Sequence, residues 1–447
     1  MTKLNMKKII VWIVLAFQLM KGQQNTFTLQ QALDYAYSHN TAQINAELDV
    51  KNQQYLKKQI AGAALPQINA SLDFKDYVEL PTSLLPAAAF GGPPGTFIPV
   101  KFGLQYNATA SASVSQLIFS SDYMIALMAS KEGARLAEKN VLRTKTETAQ
   151  NVSKAYYGVL INRERIKLLE ANIERLKKML NDTKAMNTAG FVEKIDVDRL
   201  EVTFNNLNAE KEKVSRLVGI SETLLKFQMG YKVNESIVLL DSIKGMQEPS
   251  AALNEAGKTS YAARAEYALL QSQQKLNELQ LKRYRLTALP TLVGYGSFVE
   301  QAQRTSFDFF DADKKWYPIG IVGATLNVPI FGGGQNGFRI KQAGITILKT
   351  KNNITNLEQA IDMEIQITKT SVLNAMNSLD SQKKNRELAQ NILSVATKKY
   401  EQGVGSNLEI INAETSLKEA ETNYFNALYD LFIAKIDYQK ATGTLVK

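Results

Sequence analysis

The sequence predicts a mixed α and β membrane protein made of two internal repeats, each contributing two transmembrane β-strands and long coiled-coil helices. Three observations predict it. Landmarks recur at fixed spacing, strand segments alternate apolar and small polar residues over unusual lengths, and two stretches of about 70 residues lack proline.

The repeat comes first, because a missed duplication misreads a whole fold. Leu65-Pro66-Gln67-Ile68 is answered by Leu289-Pro290-Thr291-Leu292, and Leu117-Ile118-Phe119 by Pro329-Ile330-Phe331. Ala189-Gly190-Phe191-Val192 is answered by Gln402-Gly403-Val404-Gly405, and Met229-Gly230 by Thr442-Gly443. Phe119 to Gly190 is 71 residues and Phe331 to Gly403 is 72; Gly190 to Gly230 and Gly403 to Gly443 are each 40. Chance similarity does not hold such distances over more than 100 residues.

Each copy reads helix, strand, loop, strand, very long helix, glycine turn, helix. The first repeat takes residues 23–232, with strands at about 65–78 and 102–119 and a turn at 190. A linker follows at 233–252. The second repeat takes 253–447, with strands at about 289–300 and 318–331 and a turn at 403. The opening helices, about 29–63 and 253–286, stop before Pro66 and Pro290, since proline disfavours helical geometry in the residue before it.

The first-copy strands alternate with period 2. Leu104, Tyr106, Ala108, Ala110, Ala112 and Val114 point one way, and Gln105, Asn107, Thr109, Ser111, Ser113 and Ser115 the other. Ile68, Ala70, Leu72 and Phe74 alternate with Gln67, Asn69, Ser71 and Asp73. The second copy is less regular: Val322, Ala324, Leu326, Val328 and Ile330 alternate with Gly323, Thr325, Asn327 and Pro329. Such segments suit a closed barrel with a lipid side and a wet side; a half-buried sheet in a soluble sandwich is the other reading. The loops at 79–101, rich in proline and glycine, and 301–317, charged and aromatic, read as exposed.

Residues 121–188 and 335–402 are read as helices of roughly 100 Å at 1.5 Å per residue. Val159, Ile166, Leu169, Ile173, Leu176 and Leu180 form a seam, and so do Ile354, Leu357, Ile361, Ile365, Ile367, Val372 and Leu379. The spacing is that of coiled-coil contact, which any long coiled coil would share.

Lys3, Lys7 and Lys8 followed by the apolar run 9–20 make residues 1–22 a signal peptide. The run is too short to span a membrane, which needs ~20 apolar residues. Four of the ten excess positive charges lie there, leaving about +6 interspersed with acids; no concentrated patch for nucleic acid results. With no cysteine there is no disulfide, no thiolate metal site and no lipid-anchored N-terminal cysteine. One histidine, His39, reads as an ordinary helix residue and cannot build a metal cluster. No nucleophile, metal or cofactor motif stands out, so neither catalysis nor a bound cofactor is expected.

In these features the chain resembles the outer membrane efflux proteins, the TolC-like family. The resemblance rests on Leu65-Pro66 and Leu289-Pro290, on Val328-Pro329-Ile330-Phe331-Gly332-Gly333-Gly334, and on Tyr400-Glu401-Gln402-Gly403. It continues through Leu408-Glu409-Ile410-Ile411-Asn412-Ala413-Glu414 to Ala441-Thr442-Gly443-Thr444-Leu445. Two departures are Ser120-Ser121 after Phe119, where glycines often stand, and Ala265 before Glu266, where proline is common. The resemblance implies a homotrimer with a 12-strand β-barrel in the outer membrane on a periplasmic α-helical barrel. It also implies docking with a periplasmic adaptor and an inner-membrane transporter, and an exit duct of an efflux or type I secretion system. A structural coiled-coil envelope protein without a channel is the alternative.

The family's aperture has carboxylates six residues past each turn glycine, which gives Asp196 and Glu409. Three residues further, where the family sometimes has another acid, stand Arg199 and Asn412. Acid rings favour cation passage; a first-turn acid serving the helix dipole is the plainer reading of both. Gly190, Gly403 and Gly405 are assigned to the turns, and Phe191, Val192 and Val404 to an exposed apolar tip that meets the adaptor.

Overall fold

The computed structural model describes residues 25–243 and 260–446. The expected signal peptide, the linker from 244 on and the first residues of the second repeat lie outside the described residues. In chain order the elements are β1 (Thr26–Phe27), α1 (Leu29–His39), α2 (Thr41–Gly62), β2 (Gln67–Asp76), β3 (Thr82–Pro86), β4 (Phe97–Lys101) and β5 (Tyr106–Phe119). Then come α3 (Ser121–Thr188), α4 (Lys194–Met229), β6 (Val238–Leu239), α5 (Ala265–Leu286), β7 (Thr291–Arg304), β8 (Tyr317–Asn327), α6 (Gln335–Glu401) and α7 (Asn407–Ala441). They fall into two compact units, one of residues 51–136 and 272–351, the other of 1–50, 137–271 and 352–447.

The first unit carries a four-stranded antiparallel sheet in the order β2-β5-β7-β8. Directly paired residues share a face, so the register sorts the side chains. Ala110 stands opposite Leu72 and Glu300, and Phe298 opposite Ala112 and Gly320, which puts the even-numbered residues of all four strands on one side. That face bears Ile68, Leu72, Val114, Phe298 and Val322, all exposed within the single chain. The odd face of β2 and β5 is small and polar; Ser71 Oγ and Ser111 Oγ lie 2.8 Å apart across it. In β7 and β8 the odd face carries Tyr295, Val299, Ile319 and Ile321, so the one-sided pattern expected of the second copy does not hold there. Glycines make room across this hairpin: a Cβ on Gly323 would stand 2.8 Å from Tyr295 Oη.

β8 stops at Asn327, short of the expected 331. Pro329 has no N–H to donate to a ladder, and Gly332 to Gly334 follow, so Val328 and Ile330 are not strand residues. β7 runs on to Arg304, past the expected 300, because β5 pairs with it along its whole length. The loop expected at 79–101 contains an antiparallel hairpin, β3 with β4. At the foot of the sheet, Asp122 at the start of α3 is paired with Arg283 of α5, whose Nη2 donates to Asp122 Oδ2 at 2.8 Å. Ser121 Oγ donates to Leu286 O at 2.8 Å.

The second unit is helical. Its largest core draws Leu169, Ile173, Leu176 and Leu180 from α3, Leu200, Leu207 and Val214 from α4, Leu393 from α6 and Ile410 and Leu417 from α7. Steps of three, four and seven residues are knobs-into-holes spacing. Ile361, Val372 and Leu379 of α6 are buried as the seam requires, whereas Ile367 is exposed; it lies two residues from Ile365, and residues two apart on a helix do not share a face.

The opening helix is two helices. Asn40 breaks it with ψ 127°, and its Oδ1 accepts from Ala42 N at 2.9 Å, starting α2 afresh. His39 is thus the last residue of α1, its ring stacked on Tyr35 at 3.9 Å. The break lets the end of α4 abut α1: Asn40 Nδ2 donates to Gln228 O at 2.8 Å, and a Cβ on Gly230 would strike His39 O. The second copy repeats the contact, with Gly443 against Ala263 O and Arg264 Nη1 donating to Ala441 O at 2.8 Å.

Candidate functional site: the helical turns

Each long helix ends the same way. Gly190 has φ 79° and Gly403 φ 73°, the left-handed geometry a glycine accepts without a Cβ penalty. Phe191 N donates to Met186 O at 2.9 Å and Val404 N to Lys399 O at 3.0 Å, so the last carbonyls are satisfied by a Schellman closure. The return helices end identically, with Tyr231 N on Lys226 O and Thr444 N on Gln439 O, both at 2.8 Å. Gly405 has a different reason: a Cβ there would sit 2.8 Å from the Lys399 Cβ. Phe191 and Val404 stand 82% and 76% exposed, whereas Val192 is half-buried, its carbonyl accepting from Asn187 Nδ2 at 2.7 Å. The apolar tip is therefore Phe191 and Val404, without Val192.

Asp196 lies in the first turn of α4 and Glu409 in that of α7. The two starts are joined directly: Asn407 Nδ2 donates to Asp196 O at 2.7 Å. Asp196 Oδ1 is 3.7 Å from Arg199 Nη1, so Arg199 neutralises part of its field. Glu409 and Asn412 line one groove with Lys399, whose Nζ is 4.0 Å from Glu409 Oε2. Both partners are about half exposed, and such a pair adds little stability. Glu409 N also donates to Ser406 Oγ at 3.3 Å, the side-chain cap of α7.

Sequence reasoning missed the polar links between α3 and its neighbours. Thr183 Oγ1 and Tyr400 Oη lie 3.2 Å apart. Further along, Arg175 grips Glu414 with two bonds, Nε to Oε1 at 2.9 Å and Nη2 to Oε2 at 3.0 Å, while Asn172 Nδ2 donates to Glu421 Oε2 at 2.8 Å. A signal existed: Glu414 and Glu421 are seven residues apart beside Leu417, so they flank the buried seam.

Burial pushes the Glu421 carboxyl up, reinforced by Glu414 and opposed by the Asn172 bond and the Arg175 charge. A raised folded value means that Glu421 contributes least at neutral pH; its share of stability is full below the unfolded carboxylate value of about 4.3 and is lost as pH rises through the folded one. Glu421→Gln keeps an acceptor for Asn172 and removes that charge. The melting temperature of the variant is expected to rise at pH 7.5 by a few degrees and to match the parent near pH 4. An equal shift at both values would remove titration as the cause.

The family described as outer membrane efflux protein matches residues 284–444. Outer membrane protein TolC of Escherichia coli (strain K12) is 22% identical over 360 residues, covering 77% of this chain and 71% of that protein. The outer membrane protein VceC of Vibrio cholerae superposes with a TM-score of 0.71 at 14% identity, over 93% of this chain and 96% of that one. The Campylobacter jejuni CmeC outer membrane channel does so with 0.72 at 14% identity, over 94% and 86%. In its repeated landmarks, its strand-and-long-helix fold and these likenesses, the chain is similar to the outer membrane efflux proteins, the TolC-like family.

Proposed function

We propose that three copies of this chain form the outer-membrane exit duct of an efflux or type I secretion system, conducting substrates passively to the exterior. A periplasmic adaptor and an inner-membrane transporter deliver them. The carrying observation is the sheet: among the described residues the outer edges of β2 and β8 have no strand beside them, and the even face is apolar and exposed. In lipid an unpaired edge is untenable, so the edges must meet those of other copies. Four strands are too few to close a barrel around a lumen, and three copies supply twelve.

The helical unit supports the same assembly. Ile195, Val202, Ile220, Leu224 and Phe227 leave an exposed apolar stripe along α4, available to a neighbouring copy. No described helix is long and apolar enough to cross a membrane; the spanning elements of the proposed duct are the strands, whose even face is apolar and exposed. Asp196 and Glu409 are proposed to ring the aperture at the turns, with Asn412 beside Glu409 and Arg199 damping Asp196. Gly190, Gly403 and Gly405 shape the tips that present Phe191 and Val404 to the adaptor.

Planar-bilayer recordings of the detergent-purified trimer test this. The parent is expected to conduct with a cation preference, and Glu409→Gln to lower the cation-to-anion permeability ratio about twofold, because three charges leave the ring. A folded trimer that never conducts counts against the duct. An unchanged ratio takes Glu409 out of the aperture while leaving the duct in place.

A further inference from the structure

The even face of the sheet does not end with the strands. Residues 305–316, joining β7 to β8, fold back across it. Phe309 is 7% exposed, packed on Ala108 and Ala302 with Tyr106 and Trp316 beside it. Its ring meets Phe74 edge-on at 5.5 Å. Phe74, Tyr106, Ala108 and Ala302 are all even-face positions by register. Asp308 is held between Arg304, at 3.4 Å, and Lys314, and the Lys314 hydrogen bond draws its carboxyl below the usual carboxylate range. The segment is therefore fixed to the wall. With Phe309 buried, its neighbour Phe310 is left 91% exposed, its ring 6.2 Å from that of Phe307, which is exposed as well.

Exposure of a whole aromatic ring on an anchored segment needs a partner. The candidates are water, the lumen and lipid. The lumen is disfavoured, because on β2 and β5 the polar residues face the other way and the segment does not lie on their side. Lipid is favoured by continuity: Phe310 extends the same surface as Leu72, Val114 and Val322. Bands of aromatic residues at the ends of membrane strands lie at the boundary of headgroups and acyl chains.

We propose that segment 305–316 lies on the outside of the barrel wall and inserts Phe310 into that boundary, with Arg304, Asp308 and Lys314 in the headgroup layer. This rests on the reading that the even face meets lipid.

The cysteine-free chain permits a direct test. Single variants Phe310→Cys, Val322→Cys and Val404→Cys are nitroxide-labelled, and the full chain is reconstituted in phosphatidylcholine vesicles. Collision of each label with oxygen, which prefers acyl chains, is compared with collision with a water-soluble nickel chelate. The ratio at 310 is expected to lie well above that at 404 and below that at 322. A ratio at 310 equal to that at 404, with 322 in lipid, overturns the proposal and leaves the barrel standing. Water-like ratios at both 310 and 322 overturn the barrel reading and the proposal together. A second measurement needs no change in the segment: with residues 1–22, the expected signal peptide, removed and Trp12 with them, Trp316 is the only tryptophan left in the sequence. Lipids brominated on the acyl chains are expected to quench its fluorescence about twofold; quenching by aqueous iodide alone counts against the proposal.

Discussion

Val322→Arg is expected to abolish the trimer, while Ser113→Arg leaves it assembled. Val322 is the central residue of β8 and 93% exposed in the single chain. Were this face in water, an arginine there would change stability by no more than about 0.5 kcal/mol, the ordinary range of surface substitutions. On a lipid-facing strand near the bilayer midplane it costs about 2–4 kcal/mol per copy, and three copies repeat it. A total of roughly 6–12 kcal/mol is comparable with the whole stability of a folded domain. Ser113 pairs with Asn69 and Ser297 on the opposite, polar side of the wall. An arginine there meets water, and the three added charges are expected to shift conductance towards anions. The measurement is the trimer band in unheated samples of outer-membrane fractions, followed by bilayer recording of whatever assembles. Equal trimer from both variants would mean that neither side of the sheet touches lipid. Loss from Ser113→Arg alone would reverse the two faces.

Much of this sidedness could be read from β2 and β5 alone, because period 2 is a local signal. The glycine turns were equally legible: a residue forced to positive φ leaves its mark as Gly190 or Gly403 whatever surrounds it. What stayed hidden depended on partners distant in sequence. Gln301, Gln303 and Arg304 do not look like strand residues, yet β7 runs through them because Thr109, Asn107 and Tyr106 of β5 lie alongside. The hairpin at 82–101 was masked by its prolines, Pro86 and Pro99, tolerated in a two-stranded pair that leaves each strand one open edge. Asn40 could have been taken as a cap, but the break it makes has its purpose in Gly230, 190 residues away. At the turns, spacing placed Asp196 and Glu409 just past the glycines, in the first turns of α4 and α7; only the folded chain shows that Asn407 ties the two turns or that Arg199 sits against Asp196.

The Arg175 network is the clearest case of a feature set by tertiary contact, and it carries the second large effect. Glu414 is 4% exposed on its side chain, and both its oxygens are bonded by one guanidinium. Removing one partner of a buried pair leaves an uncompensated charge, at a cost of about 3–5 kcal/mol when both are enclosed. Arg175 is 38% exposed, so water supplies part of the compensation and Arg175→Ala is expected to cost roughly 2–3 kcal/mol. The loss should be seen as a lower melting temperature and as faster proteolysis of the α3 and α7 pairing. Arg175→Met with Glu414→Leu replaces the pair by apolar groups of similar volume, and such exchanges are often neutral or stabilising. The double variant should therefore regain most of the stability that Arg175→Ala loses. Thermal melting of the parent, Arg175→Met, Glu414→Leu and the double variant closes a cycle that isolates the coupling, with Arg175→Ala beside it. If Arg175→Ala melts with the parent, the pair is a solvated contact. If the double variant melts as low as the single ones, the cost lies in packing lost around the Arg175 stem, because charge pairing cannot explain a deficit that persists when both charges are gone.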